Sequence, residues 1–142
     1  MTIGIIVCGH GHFATGITST LELVAGEQED YKAVDFDGSC DFGVLLKQAV
    51  EELNCEKLIF FTDILGGTPF RQASMIAAQR KNCEVVTGTT AQMLIEACLE
   101  RDDYDNLSDS INTLIDSARQ GITSFALQMS NNQNNQTDDD GI

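Results

Sequence analysis

Short strand-like runs alternate with helical segments along most of this chain, and that alternation restricts the fold more than any other feature. Ile3-Gly4-Ile5-Ile6-Val7-Cys8 and Lys57-Leu58-Ile59-Phe60-Phe61-Thr62 are apolar almost throughout, as expected of strands buried on both faces of a parallel sheet. Tyr31-Lys32-Ala33-Val34-Asp35-Phe36 and Glu84-Val85-Val86-Thr87 supply two more strands. Between them, Phe13, Ile17, Leu21 and Val24 recur at helical spacing before Gly26, a natural helix stop. Phe42, Leu45, Leu46, Ala49, Val50 and Leu53 make the apolar face of a second helix, and Phe70, Ala73, Ile76 and Ala77 that of a third. Leu94, Ala97 and Cys98 continue a fourth helix, which Thr89-Thr90-Ala91-Gln92 opens with capping-box spacing. Leu107, Ile111, Leu114, Ile115 and Ala118 mark a last helix, closed by Gly121. Such a pattern predicts an α/β fold, with a parallel sheet, right-handed crossovers and helices on both faces. The two most apolar strands, the first and third, belong in the centre. The expected order is therefore 2-1-3-4, with its switch point between strands 1 and 3.

One domain accounts for the chain. Its 142 residues can build a real core but not two ordinary ones. Residues 1–129 are expected to fold, with 122–128 forming one more short strand. Residues 130–142 are Asn/Gln-rich and then acidic, and are expected to be disordered because they have nothing to bury. The net charge is −14, from 22 acidic and 8 basic residues, and only three of those charges are the tail's Asp138, Asp139 and Asp140. A phosphate backbone would be repelled by such a body, which argues against nucleic acid as a partner, whereas a basic protein would be attracted. Cys8, Cys40, Cys55, Cys83 and Cys98 are odd in number and scattered, with no C-x-x-C pair. They read as reduced thiols in a cytoplasmic protein rather than a disulfide framework. No basic region leads into an apolar one at the N-terminus, and no apolar run approaches the ~20 residues that cross a bilayer.

The chemistry gathers at the loops after the two central strands. Cys8-Gly9-His10-Gly11-His12 sets a titratable imidazole between glycines at the carboxyl end of strand 1. Asp63-Ile64-Leu65-Gly66-Gly67-Thr68-Pro69-Phe70 follows strand 3, with Thr68 a good N-cap and Pro69 suited to the first helical position. The switch point brings both loops over one crevice. A neutral imidazole can serve as base, metal ligand or nucleophile. A carboxylate on one ring nitrogen, for which Asp63 is the candidate, would fix the tautomer and leave the other nitrogen free to attack. The backbone N–H groups of Gly66, Gly67 and Thr68, with the helix dipole behind them, suit a phosphate, and the Thr68 hydroxyl could add a donor. Taken singly, each of these is also an ordinary turn, strand end or cap.

Three other readings compete. Gly9-His10-Gly11-His12-Phe13-Ala14 matches the dinucleotide pattern G-x-G-x-x-A, with Asp35 ending the second strand. That reading lacks a second mononucleotide-binding half and leaves the Gly66–Phe70 turn without a purpose. A metal site from Cys8, His10 and His12 requires an extended run that the glycines should break, and two histidines cannot make a three-histidine zinc site. A histidine phosphatase would need a basic cluster, and Arg71 is the one arginine near either loop.

Gly9-His10-Gly11 after strand 1, together with Phe61-Thr62-Asp63-Ile64-Leu65-Gly66-Gly67-Thr68-Pro69-Phe70 after strand 3, resembles the mannose-type enzyme IIA of the bacterial phosphoenolpyruvate-dependent sugar phosphotransferase system. The similarity runs over about residues 1–127 and includes Met93-Leu94 and Leu99-Glu100-Arg101-Asp102. The resemblance implies a phosphotransferase with a phosphohistidine intermediate. His10 would accept a phosphoryl group from the phosphocarrier protein HPr and pass it to an enzyme IIB, with Asp63 as the histidine's partner. Membrane permease subunits would be served indirectly, and no cofactor or metal is expected. Because this chain ends at Ile142, the IIB is expected on a separate polypeptide. The resemblance also implies a homodimer in which a C-terminal strand crosses as a fifth, antiparallel edge strand. A subunit of the phosphotransferase-linked dihydroxyacetone kinase shares the fold, but the Gly-Gly-Thr-Pro-Phe turn favours the sugar-transport branch. His12 stands where relatives often carry an aromatic residue. Neither the sugar nor the reactive ring nitrogen of His10 is written in the sequence.

Overall fold

The computed structural model describes residues 2–38 and 41–139. Strands β1 (Gly4–His10), β2 (Tyr31–Phe36), β3 (Leu58–Thr62) and β4 (Cys83–Val86) form one parallel sheet in the order β2-β1-β3-β4, as the distribution of apolar runs predicts. Helices α1 (Phe13–Ala25), α2 (Phe42–Leu53), α3 (Thr68–Ala77), α4 (Ala91–Glu100) and α5 (Leu107–Gln120) surround it. The strand period divides the core in two. Ile5 and Val7 of β1, with Ile59 and Phe61 of β3, pack against Ala14 and Leu21 of α1, Leu94 and Ala97 of α4, and Ile111 and Leu114 of α5. Ile6 and Cys8, with Leu58 and Phe60, pack on the other face against Phe42, Leu46 and Ala49 of α2 and Ala73 of α3. Both central strands are therefore covered on both sides, which explains their unbroken hydrophobicity.

Helix ends follow local chemistry. Asp41 caps α2 by accepting from the N–H of Val44, and Asn106 caps α5 by accepting from that of Asp109. At α4 the cap is Thr90, which accepts from Met93, and not the Thr89 of the expected capping box. The Thr89 hydroxyl instead donates to the Thr62 carbonyl at 2.9 Å, tying the α4 entry to the end of β3.

Arg101 closes the opposite edge of the sheet. It is buried just after α4 and donates to the carbonyls of Ile3 at 3.0 Å, Asp30 at 3.2 Å and Glu29. Hydrogen bonds to a charged group contribute roughly 1.5–3 kcal/mol each. This side chain therefore pins β1, the β2 entry and α4 together.

The C-terminal segment differs from expectation. In place of a strand over 122–128 and an unstructured stretch from 130, the chain forms α6 (Phe125–Asp139). The Ser124 hydroxyl accepts from the N–H of Leu127 at 3.1 Å, and the Gln128 amide reaches the Thr123 hydroxyl at 2.9 Å. These local bonds start a helix without any core to pack on, and they were the overlooked signal. The expected tail residues 140–142, and Cys40 among the thiols, lie outside the described residues. Among those described, no helix is long and apolar enough to cross a membrane.

Candidate functional site

Pairing of the two central strands runs to Cys8 opposite Thr62, so the next residues of each emerge side by side. His10 is the last residue of β1, and Asp63 follows β3 directly. One carboxylate oxygen, Oδ2, accepts from the His10 backbone N–H at 2.8 Å and lies 2.8 Å from ring Nδ1. The other, Oδ1, accepts from the Ile64 N–H at 2.9 Å. Desolvation alone would raise the Asp63 pKa, but hydrogen bonds from the His10 backbone and ring and from Ile64 outweigh it and hold the carboxyl below its ordinary value. An ionised carboxylate can only accept, so Nδ1 carries the proton and Nε2 the lone pair. The Asp63 side chain is 10% exposed and that of His10 is 41% exposed. The Asp63 carboxylate is thus sheltered, and the imidazole it holds is partly exposed.

The second part of the site is the turn into α3. Gly66 has φ +80°, a conformation that favours glycine. Gly67 is the N-cap, so Thr68 is the first helical residue and Pro69 the second, one step later than the sequence predicts. The cap residue Gly67 therefore gives α3 no side-chain cap hydrogen bond. The first-turn N–H groups are left to other acceptors, with the positive end of the helix dipole behind them. A methyl group on Gly67 would lie 2.8 Å from His10 Cε1 and 3.5 Å from Nε2. The helix N-terminus thus abuts the open ring nitrogen. Any larger residue at position 67 would push the imidazole aside.

Two supporting roles go beyond the sequence reading, in which Gly9 is a turn residue and Phe36 part of strand 2. A methyl on Gly9 would meet the Phe13 ring at 2.5 Å and the Asp63 carboxyl carbon at 3.0 Å, so that glycine admits the carboxylate. Phe36 of β2 stands opposite His10 in the strand register, and their rings meet at an angle of 66° with centroids 5.7 Å apart. Register was the missing signal in both cases, because it brings together residues far apart in the chain.

His12 has a similar partner but a different setting. Its Nδ1 lies 3.2 Å from Asp35 Oδ2, and its side chain is 95% exposed. Asp35 is already engaged, accepting from the Thr15 N–H at 3.0 Å and the Thr15 hydroxyl at 2.7 Å. Burial raises the Asp35 pKa, but these bonds and His12 outweigh it and lower it below the usual value. Asp35 therefore caps α1 from the neighbouring strand, where the dinucleotide reading needed it for ribose. Cys8, a member of the considered metal set, faces the core, where burial and then the Asp63 charge push its thiol up to about 12. Among the described residues, no three His, Cys, Asp or Glu side chains group to hold a metal.

The larger clefts lie away from His10 and Asp63. A cleft of about 640 Å³ lies by Asp30, Cys55 and Arg80, one of about 570 Å³ between α2 and α3, and one of about 470 Å³ beside β4. None of these three is lined by His10 or Asp63.

Comparison with known proteins identifies the family. The family model EIIA-man, described as the PTS system fructose IIA component, matches residues 4–115. The chain is 29% identical over 126 residues to the PTS system mannose-specific EIIAB component of Escherichia coli (strain K12), covering 86% of this chain and 39% of that protein. It is 24% identical to the PTS system sorbose-specific EIIA component of Lacticaseibacillus casei, covering 90% and 94%. The crystal structure of the phosphotransferase system component EIIA from Streptococcus agalactiae superposes with a TM-score of 0.81 at 34% identity, over 88% of this chain and 98% of that one. The chain thus spans well under half of the mannose-specific relative and nearly all of the other two.

Proposed function

The chain belongs to the EIIA-man family of phosphotransferase-system IIA components, and from that premise we propose that it is a cytoplasmic phosphoryl relay that is charged on His10. The observation that carries this reading is one imidazole with Nδ1 held by Asp63 and Nε2 open beside the uncapped start of α3. The Nε2 lone pair attacks the phosphorus of phospho-HPr, the donor's N–P bond breaks, and a new N–P bond forms. The ring gains positive character, which the Asp63 carboxylate offsets. The phosphoryl oxygens meet the N–H groups at the Gly66-Gly67-Thr68 turn and the Thr68 hydroxyl. The same exchange in the forward direction delivers the group to an enzyme IIB that serves a sugar permease.

An exposed histidine at a sheet edge suits a donor that is itself a protein. Ile64 and Leu65, exposed beside Asp63, offer such a donor an apolar footing. A dinucleotide would need an enclosing crevice and a free ribose acceptor, and Asp35 is engaged in capping α1. Incubation with phospho-HPr is expected to add one phosphoryl group, acid-labile and base-stable as a phosphohistidine is. NADH and NADPH are expected to show no saturable binding. Micromolar NADH affinity without phosphate uptake would reverse the assignment.

We further propose that the protein works as a homodimer with exchanged C-terminal strands. Phe125, Leu127 and Met129 are all exposed in the single chain. Along a helix Phe125 and Met129 share a face and Leu127 lies on the other, whereas a strand would align all three on one face. Beside the free edge of β4 runs the cleft of about 470 Å³ lined by Leu65, Phe70, Val85, Met93 and Ile115. The buried Thr87 hydroxyl in its wall has no partner among the described residues. A second copy's 122–128, added antiparallel to β4, would fill the cleft and bury Phe125 and Leu127, with Met129 just beyond. Sedimentation of the full chain should give a dimer, while a chain ending at Gly121 should be monomeric or markedly less stable. Ending it at Ser130 should change little. A monomeric full chain would refute the exchange.

A further inference from the structure

We propose that Phe36 is a positioning residue for His10, one that holds the imidazole plane so that Nε2 points at the start of α3. This inference rests on His10 being the phosphoryl acceptor. A single hydrogen bond from Nδ1 to Asp63 fixes one direction in the ring plane and leaves the ring free to rock about that axis. Gly67 limits the swing on the Cε1–Nε2 side. What remains is contact from the β2 side, and Phe36 supplies it.

The contact is built into the fold. His10 and Phe36 are register partners at the ends of β1 and β2, and the Gly11 N–H donates to the Phe36 carbonyl at 2.8 Å. That bond anchors the two chain ends just where both leave the sheet. Behind Phe36 stands Phe42, the first residue of α2, with ring centroids 5.2 Å apart and an interplanar angle of 61°. Phe42 is buried against Leu46, Ala49 and Ala73. An aromatic chain therefore runs from the core through Phe36 to the reactive ring, and edge-to-face contacts of this kind favour one mutual orientation. In-line transfer between two histidines depends on that orientation, because misplacement by about 1 Å can cost ~10²-fold in rate.

The test measures both transfer kinetics from phospho-HPr and the His10 ring itself. Phe36→Leu is expected to lower kcat about 10-fold while leaving KM for phospho-HPr within about two-fold, the pattern of lost alignment rather than lost docking. Phe36→Tyr, which keeps the ring, should stay near wild type. In the unphosphorylated protein, ring ¹⁵N and ¹³C NMR should show one ordered His10 tautomer in wild type and motional averaging in Phe36→Leu. Unchanged kinetics in Phe36→Leu, or a loss confined to KM, would overturn the proposal. So would a wild-type His10 ring that already averages, a result obtained even if Phe36→Leu does not fold. Failure of wild type to accept phosphate would instead strike at the relay reading, and the ring measurements would still decide the role of Phe36.

Discussion

Replacing His10 with alanine is expected to abolish phosphoryl acceptance from phospho-HPr, leaving no measurable transfer. Phosphoryl transfer proceeds through a loose transition state, so the protein's part is to present a nucleophile, align it and stabilise charge. Without His10 the α3 turn loses its imidazole, and the Thr68 hydroxyl is a far weaker nucleophile. His12 cannot take over. It lies two residues away and also has a carboxylate at its Nδ1, but that carboxylate already serves Thr15. The turn into α3 lies against the His10 ring, at Gly67. His12→Ala should therefore accept phosphate as wild type does, and radiolabelled transfer would separate the two histidines in one experiment. Equal inactivity of both variants would move a paired-histidine mechanism ahead of this one.

Asp63→Asn is the substitution with the next largest expected effect, slowing transfer by roughly 10²–10⁴-fold, the range typical of proton-handling groups. Asp63 accepts three bonds, from the His10 backbone, the His10 ring and the Ile64 N–H, and these use both oxygens. An asparagine has only one acceptor oxygen. Its NH₂ must then face either the Ile64 N–H or the His10 N–H, donor against donor. The variant also loses the negative charge that fixes the tautomer and offsets charge on the phosphorylated ring. A pH signature accompanies this. The Asp63 carboxyl is held below its ordinary value when folded. Its contribution to stability is therefore fully present above the unfolded pKa of about 3.9 and is lost as pH falls through the lower folded value. Unfolding followed from neutral to acid pH should show wild type losing stability below about pH 4, with that component missing in Asp63→Asn.

Most of what organises the site could be read from the order of residues, because the informative features are local. β1 and β3 are apolar on both faces, and this alone gives the sheet order and the switch point between them. The His10 loop and the Asp63 loop must then share an edge. What could not be read depends on register and on partners in space. Phe36 looks like one more β2 hydrophobe until its pairing with His10 is known. Gly9 looks like a turn residue until the Asp63 carboxyl is placed against it. Asp35 looks like the strand-2 end of a dinucleotide pattern until Thr15 takes both of its oxygens. The α3 cap falls one residue early because Gly66-Gly67-Thr68 offers adjacent positions of similar merit. Residues 122–129 carry a strand pattern together with a Ser124 helix cap. In the described chain the helix forms over these residues from Phe125 on.

The central claim is that His10 Nε2, and no other atom, carries the phosphoryl group. The direct measurement is ¹⁵N and ³¹P NMR of the protein charged by phospho-HPr. The account predicts one phosphohistidine, at His10 Nε2, with the Nδ1 proton still bonded to Asp63. Phosphate on Nδ1 or on His12, or no phosphohistidine at all, would contradict it.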